Sequence, residues 1–397
     1  MTEATQAVSG GAALRFFLIA TEESGDRLGA ALMRALRERT NGRISFAGVG
    51  GHDMERAGIH SLFPIDQLAI VGIDAVIAKL PMILRRISET AAAVTAANPD
   101  MLIIIDSPDF THRVARKVRA AAPHIAIVDY VSPSVWAWRP GRARAMRRYV
   151  DHVLALLPFE PAAHQRLGGP PCTYVGHSVT EISGRLRPDA KERARRDADP
   201  PIVLVLPGSR SGEVRRMLPV FGEAVHLAAK SAPIEIVLPT VPHLARRIAE
   251  ATADWQIRPR IVVDQEEKWA AFRSARAALA ASGTVTLELA VAGVPTVVAY
   301  KVSLLEELVA RLMIKGHTVV LANLVLGENI MPESLQRDAT PESLAAALVS
   351  IVEPSDQRQR QLAAFRKIDD IMGIGREAPA ALAADVVLRV LDRPASR

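Results

Sequence analysis

Two glycine turns in the second half of the chain carry the residues best suited to an anion. The first reads Leu206-Pro207-Gly208-Ser209-Arg210 after the apolar run Ile202–Leu206, with Glu213 and Leu218-Pro219 beyond it. Strand, glycine turn and helix start gather unpaired N–H groups and the positive end of a helix dipole at one point. Gly208 lets the backbone approach a ligand, and Ser209 and Arg210 add side-chain donors, a combination that suits a phosphate. An ordinary strand-to-helix turn fits the same residues as well. The second turn, Ala281-Ser282-Gly283-Thr284, has the same form, with Glu288 one turn into the helix that it opens. A plain Ser/Gly cap is its other reading.

The acids lie in the first half. The run Met101–Ile105 ends in Asp106-Ser107-Pro108-Asp109-Phe110-Thr111. Two carboxylates three apart at a strand's carboxyl end can act as base and orienter, or Asp109 can cap the helix from Thr111. Asp106 directly follows apolar residues, so it is expected to be partly desolvated with a raised pKa. Earlier, Ala20-Thr21-Glu22-Glu23-Ser24-Gly25-Asp26 closes the first apolar run. Ser24 and Asp26 are N-cap types, and the carboxyl edge of a parallel sheet is where ligands bind. Trp136, Trp138, Arg139 and Arg142 follow another strand, and Arg144, Arg147 and Arg148 continue the basic run. Three readings fit: a nucleic-acid face, a solvated helix face, or a pocket for a phosphorylated sugar. Their place after a strand favours the pocket. His177 alone reads as structural.

Apolar runs alternate with helical segments and must position these groups. Strands are expected at 15–20, 45–49, 101–105, 125–130 and 152–156, then at 202–206, 234–239, 260–263, 277–281 and 296–300, with helices such as 27–39 and 111–121 between them. Such alternation argues for parallel sheets wound with helices. The Arg-, Asp- and Ala-rich stretch 183–201 lacks apolar periodicity and reads as a linker. The boundaries expected are 1–182, linker 183–201, 202–370, and a C-terminal helix in 371–397 packing on the domains.

At 397 residues, 49% of them hydrophobic, the chain suits two or three domains. The lone cysteine, Cys172, excludes an internal disulfide and a thiolate zinc site. A net charge of +6 attracts nucleic acid, anionic lipid or phosphorylated substrates alike. Residues 1–13 do not read as a signal peptide. The run Leu68–Leu84 is broken by Asp74, Lys79 and Pro81 and is too short to span a bilayer. Its Leu80, Met82, Ile83 and Leu84, beside Arg85 and Arg86, form either a shallow membrane contact or a buried helix.

Taken in order, Tyr130–Arg139 with Arg142, Leu157-Pro158-Phe159-Glu160, Leu206–Arg210 with Glu213, and Ser282–Glu288 resemble the lipid-A-disaccharide synthase family. The resemblance runs from Phe16 to the C-terminal helices. It implies a GT-B glycosyltransferase, an α/β protein of two Rossmann-like domains facing across a cleft, with the acceptor on the N-terminal half and UDP-sugar on the C-terminal half. The implied reaction moves a diacylglucosamine unit from UDP-diacylglucosamine to the 6-hydroxyl of diacylglucosamine 1-phosphate with inversion, giving a β-1,6 disaccharide and UDP. Asp106 is the implied base, with Glu22 beside it. The implied UDP-sugar residues are Gly208, Ser209, Arg210, Ser282, Gly283, Thr284, Glu288 and Asn323. The acceptor would meet Ser24, Trp136, Trp138, Arg139 and Arg142.

No metal or cofactor is expected, and no nucleic-acid partner; a homodimer stays open. The implied location is the cytoplasmic face of the inner membrane of a Gram-negative bacterium, as a peripheral protein on anionic lipid. Three positions depart from the family pattern: Thr21 stands for Gly, Thr111 for Asn, and Glu328 for Arg.

Overall fold

The computed structural model describes residues 13–68, 73–302 and 318–392, the side chains of 73–78 excepted. The chain divides into two units, Met1–Gly176 with Glu377–Arg397, and His177–Arg376.

The first unit contains β1 (Leu14–Ala20), β2 (Ile44–Val49), β3 (Met101–Ile105), β4 (Ala126–Tyr130), β5 (His152–Ala155) and β6 (Cys172–Tyr174). They form one sheet in the order β2-β1-β3-β4-β5-β6, every pairing parallel. The continuous apolar runs are explained by burial on both faces, as in β3, whose five residues are all buried. Alternate residues of β1 enter different cores: Phe16, Leu18 and Ala20 on one face, Phe17 and Ile19 on the other.

The second unit repeats the plan with β7 (Ile202–Leu206), β8 (Glu235–Pro239), β9 (Arg260–Val262), β10 (Ala277–Ala281), β11 (Thr296–Tyr300) and β12 (Glu333–Leu335). The order is β12-β11-β10-β7-β8-β9, again all parallel.

Each sheet starts on an inner strand, winds outward to one edge, and then returns to the other side of its first strand. That reversal is the topological switch point, where loops diverge and leave a crevice at the carboxyl ends. In the first unit it lies between β1 and β3, paired Ala20 to Ile105. The Thr21–Glu22 and Asp106–Ser107 turns therefore leave side by side. In the second unit it lies between β7 and β10, paired Leu206 to Ala280, so the two glycine turns are also neighbours.

The stretch 183–201, expected as a linker, instead packs within the second unit. It forms helices Ser183–Leu186 and Ala190–Asp197, the latter opened by an Asp189/Glu192 capping box. Arg196 donates to Arg273 O (2.6 Å), Phe272 O (3.0 Å), Ala292 O (2.7 Å) and Gly293 O (3.2 Å). These carbonyls end helices Gln265–Ser274 and Val285–Ala292, where a cation is favoured. Burial pushes the Arg196 pKa down to about 10, which leaves it charged at neutral pH. Attachment through guanidinium groups rather than an apolar stripe is why the segment shows no hydrophobic period.

The chain re-enters the first unit at Glu377. Helix Pro379–Leu391 there lays Ala383, Ala384, Val386 and Val387 into the core beneath helix Glu23–Arg39. Arg39 Nε reaches Asp385 Oδ1 at 2.8 Å.

Candidate active site

In the second unit both glycine turns line one cavity of about 440 Å³. Gly208, Ser209, Arg210, Ser282, Gly283, Thr284 and Glu288 all face it. Residues that sequence reasoning did not assign join them, notably Glu213, Thr240, Gln265, Lys268 and Tyr300.

The first turn differs from expectation. Its amides are already occupied: Glu213 Oε2 accepts from Ser209 N (3.1 Å) and Arg210 N (3.3 Å). Glu213 Oε1 accepts from the Tyr300 hydroxyl at 3.1 Å, and burial followed by this neighbour pushes the phenol's pKa up. Gly208, at φ +116°, is required for the same reason, since a Cβ there would lie 2.5 Å from Glu213 Oε2. An internal carboxylate thus fills the nest read as a phosphate site. What this turn offers a ligand is the Arg210 guanidinium, 82% exposed and 3.4 Å from Glu213. The capping-box spacing of Arg210 and Glu213 was the available signal.

The second turn remains open. A Cβ on Gly283 would meet nothing within 4 Å. The amides of Gly283 and Thr284 precede helix Val285–Ala292 and that of Val285 opens it, where helix N–H groups have no partner four residues back. The Ser282 hydroxyl donates to Val319 O (2.8 Å) and fixes the turn. Glu288 pairs with Lys268 Nζ at 2.8 Å. Thr240 Oγ1 is buried at the cavity without a hydrogen-bond partner among the described residues.

Asn323 does not line this cavity. It is buried, its Oδ1 accepts from Ile330 N (3.1 Å) and Met331 N (2.8 Å), and its Nδ2 donates to Met331 O (2.9 Å). Its amide organises the loop before β12 rather than a ligand. His177 is a cap: Nδ1 accepts from Val179 N at 3.0 Å, and burial pushes its pKa down to about 4, so the ring stays neutral.

In the first unit Asp106 and Glu22 follow the paired ends of β3 and β1. Asp106 and Ser107 both adopt left-handed backbone, φ +52° and +47°. Such residues cost of order 1–2 kcal/mol each and persist where surroundings fix them. Here Asp106 N donates to Tyr130 O (3.0 Å), and Thr111 Oγ1 donates to Asp106 O (2.7 Å) and Ser107 O (3.1 Å). Ser107 N donates to Asp106 Oδ1 (2.7 Å), while Ser107 Oγ donates to Glu22 Oε1 (2.9 Å). Burial pushes the Asp106 pKa above the usual aspartate value, the Ser107 amide opposes this, and Glu22 and Asp129 add to the rise.

Ser107, not Asp109, is the N-cap of helix Pro108–Ala121. In helix Glu23–Arg39 the N-cap position is held by Glu22 rather than by Ser24 or Asp26. Ser24 lies exposed in its first turn, and buried Asp26 accepts from Gly51 N, Asp53 N and Met54 N at 2.8–3.0 Å.

Trp136 stacks edge-on against Phe159 and donates to Glu160 Oε1 at 3.2 Å. Glu160 is buried, and desolvation pushes its pKa up to about 7. Trp138 lies under the guanidinium groups of Arg139 and Arg142, 4.6 and 5.6 Å from its centroid. The apolar candidates sit on helix Ile73–Ala97. Leu80 and Leu84 are exposed, at 43% and 45%. Met82 and Ile83 are half-buried, and Ile83 packs against the core, so only part of that patch is free.

A model of the lipid-A-disaccharide synthetase family matches residues 16–387. The chain is 60% identical to the lipid-A-disaccharide synthase of Nitrobacter winogradskyi, over 96% of this chain and 97% of the relative. It is 42% identical to that of Rhodospirillum centenum, over 96% and 95%. Among solved structures it resembles the calicheamicin glycosyltransferase CalG4 (TM-score 0.59, 16% identity, 96% of this chain and 99% of that one). MurG of Acinetobacter baumannii is similar at TM-score 0.55, with 16% identity over 95% and 99%. The fold is thus the GT-B pair of parallel α/β units, and the chain belongs to the lipid-A-disaccharide synthase family.

Proposed function

We propose that this chain moves a diacylglucosamine unit from its UDP form to the 6-hydroxyl of diacylglucosamine 1-phosphate. Beyond family membership, the observation that carries the reading is the convergence of Arg210, the open Gly283–Val285 turn and the Lys268–Glu288 pair on one cavity. Its size is that of an ordinary small-molecule site.

Asp106 accepts the proton of the acceptor hydroxyl. The freed oxygen attacks the anomeric carbon from the face opposite the nucleotide, and the C–O bond to UDP breaks with its electron pair on the β-phosphate. A base whose pKa is raised by burial is better matched to this transfer than an ordinary aspartate. Glu22, tied to Asp106 through Ser107, lines the acceptor side with Ser24. The departing charge falls to Arg210 and to the Gly283–Val285 amides, donors fixed before the reaction starts. Glu288 takes the ribose hydroxyls, and the unpartnered Thr240 hydroxyl supplies a further contact to the nucleotide.

No described helix is long and apolar enough to cross a membrane. Both substrates carry acyl chains, so the protein meets them at a surface. Leu80 and Leu84, beside Lys79 and Arg85, form the contact, on the cytoplasmic face of the inner membrane.

The test supplies purified protein with UDP-diacylglucosamine and its 1-phosphate partner and follows UDP and disaccharide. Conversion of the UDP-sugar without acceptor, or no product at all, refutes the reading.

A further inference from the structure

The first unit holds a second cavity, of about 410 Å³, whose lining includes Arg139 and Arg142, two of the residues the family resemblance puts near the acceptor. Arg113, Arg116, Arg139 and Arg142 line it against a single carboxylate, Asp109. That acid is 83% exposed and 3.5 Å from Arg142, a separation at which solvent screens most of the attraction. The cavity therefore carries a concentrated, poorly compensated positive charge.

Three of the four arginines are also held in place. Arg116 stacks on the Tyr149 ring at 4.9 Å and donates to its hydroxyl at 3.3 Å. Arg139 and Arg142 both stack on the Trp138 ring. Stacking fixes a guanidinium plane while leaving its N–H edge for a bidentate acceptor. Arg139 adopts left-handed backbone, φ +51°, which an arginine avoids unless its surroundings impose it. The four come from two separate segments, helix Pro108–Ala121 for Arg113 and Arg116, and helix Gly141–Met146 with the turn before it for Arg142 and Arg139. A planar fork presented to a concave site is the recognition chemistry of a phosphate ester.

We infer that this cavity binds the phosphate ester of the acceptor sugar. The inference rests on the proposed reaction, which needs an acceptor with a 1-phosphate. Pro108, which lines the cavity, stands two residues after Asp106. Base and phosphate site thus share the start of one helix, and in the acceptor the carbons that bear the 1-phosphate and the 6-hydroxymethyl group flank the same ring oxygen.

The test compares the intact protein with the Arg113→Gln/Arg139→Gln variant. Both side chains are exposed, so the change opens no core. Titration with glucosamine 1-phosphate and with glucosamine reads the phosphate preference directly. The wild type should favour the phosphate by at least ~10-fold, the scale of one or two charge-assisted hydrogen bonds, and the variant should lose that preference while UDP affinity stays unchanged. In turnover, KM for the 1-phosphate acceptor should rise by a similar factor with kcat little changed, and with a 1-hydroxyl acceptor the two proteins should match. An undiminished preference in the variant overturns the inference. So does loss of binding to phosphatidylglycerol vesicles with an unchanged acceptor KM, which assigns the arginines to a lipid headgroup. A wild type that makes no disaccharide instead defeats the proposed reaction, and the titration still decides the cavity.

Discussion

Replacing Asp106 by Asn isolates the proposed base. The described residues give its carboxylate one hydrogen bond, from Ser107 N at 2.7 Å to Oδ1, and the Asn carbonyl oxygen accepts it equally. The backbone at φ +52° tolerates the change, because Asn enters the left-handed region more readily than most residues. What disappears is the proton-accepting oxygen. General-base loss costs ~100-fold to 10,000-fold in turnover, so at least ~100-fold is expected, equal to about 2.7 kcal/mol of barrier. Stability should not fall. The folded pKa is raised, so ionised Asp106 weakens the fold at pH values above that pKa, and Asn removes the penalty. The assay is disaccharide formation from pH 4 to 9, with UDP affinity and melting temperature as controls. Wild-type kcat should fall as pH drops through a value above the ordinary aspartate range, and the variant's weak residual rate should lack that limb. Near-normal turnover, or an unchanged acid limb, refutes the assignment.

Three further outcomes are expected. Arg210→Ala should weaken UDP and slow transfer together by ~10-fold to 100-fold, as loss of a charge-assisted contact does, with the fold intact because its only hydrogen-bonded side-chain partner among the described residues is Glu213; wild-type values for both in a donor-titration assay remove the guanidinium from the phosphate. Glu160, with its folded pKa raised from 4.5 to about 7, should make stability fall as pH rises between those values, by up to about 3 kcal/mol, and hold it level above; denaturant midpoints for Glu160→Gln should lack this decline, and an identical pH dependence discards it. Leu80→Ser/Leu84→Ser should release protein from anionic vesicles without altering UDP binding, whereas unchanged vesicle sedimentation places the membrane contact elsewhere.

Much of the fold was legible because parallel strands buried on both faces appear as unbroken apolar runs; 101–105, 202–206, 277–281 and 296–300 were read to the residue. β6 and β12 escaped because each is a half-buried edge strand of three residues. The pairing of site loops was not legible as such. It follows from strand order, which brings Ala20 to Ile105 and Leu206 to Ala280. Glu213 was visible in the motif, yet nothing local says whether its carboxylate or a ligand fills the turn. Lys268 and Thr240 reach the cavity from other crossovers, where local patterning carries no information about them. Asn323 shows the reverse: a residue implied by resemblance whose polar atoms are spent on its own loop.

The second crossing of the chain, at Glu377, bears on how the molecule is made. The second unit is one uninterrupted stretch and can close as soon as it leaves the ribosome. The first must wait: its β-strands emerge early, but the face covered by Ala383, Ala384, Val386 and Val387 stays open until some two hundred later residues have been synthesised. During that interval an apolar surface beside helix Glu23–Arg39 is available to chaperones or to other chains. Ending translation before Pro379 should therefore harm the unit furthest from the stop codon in sequence, with nascent chains aggregating through their N-terminal half while the C-terminal half is already native.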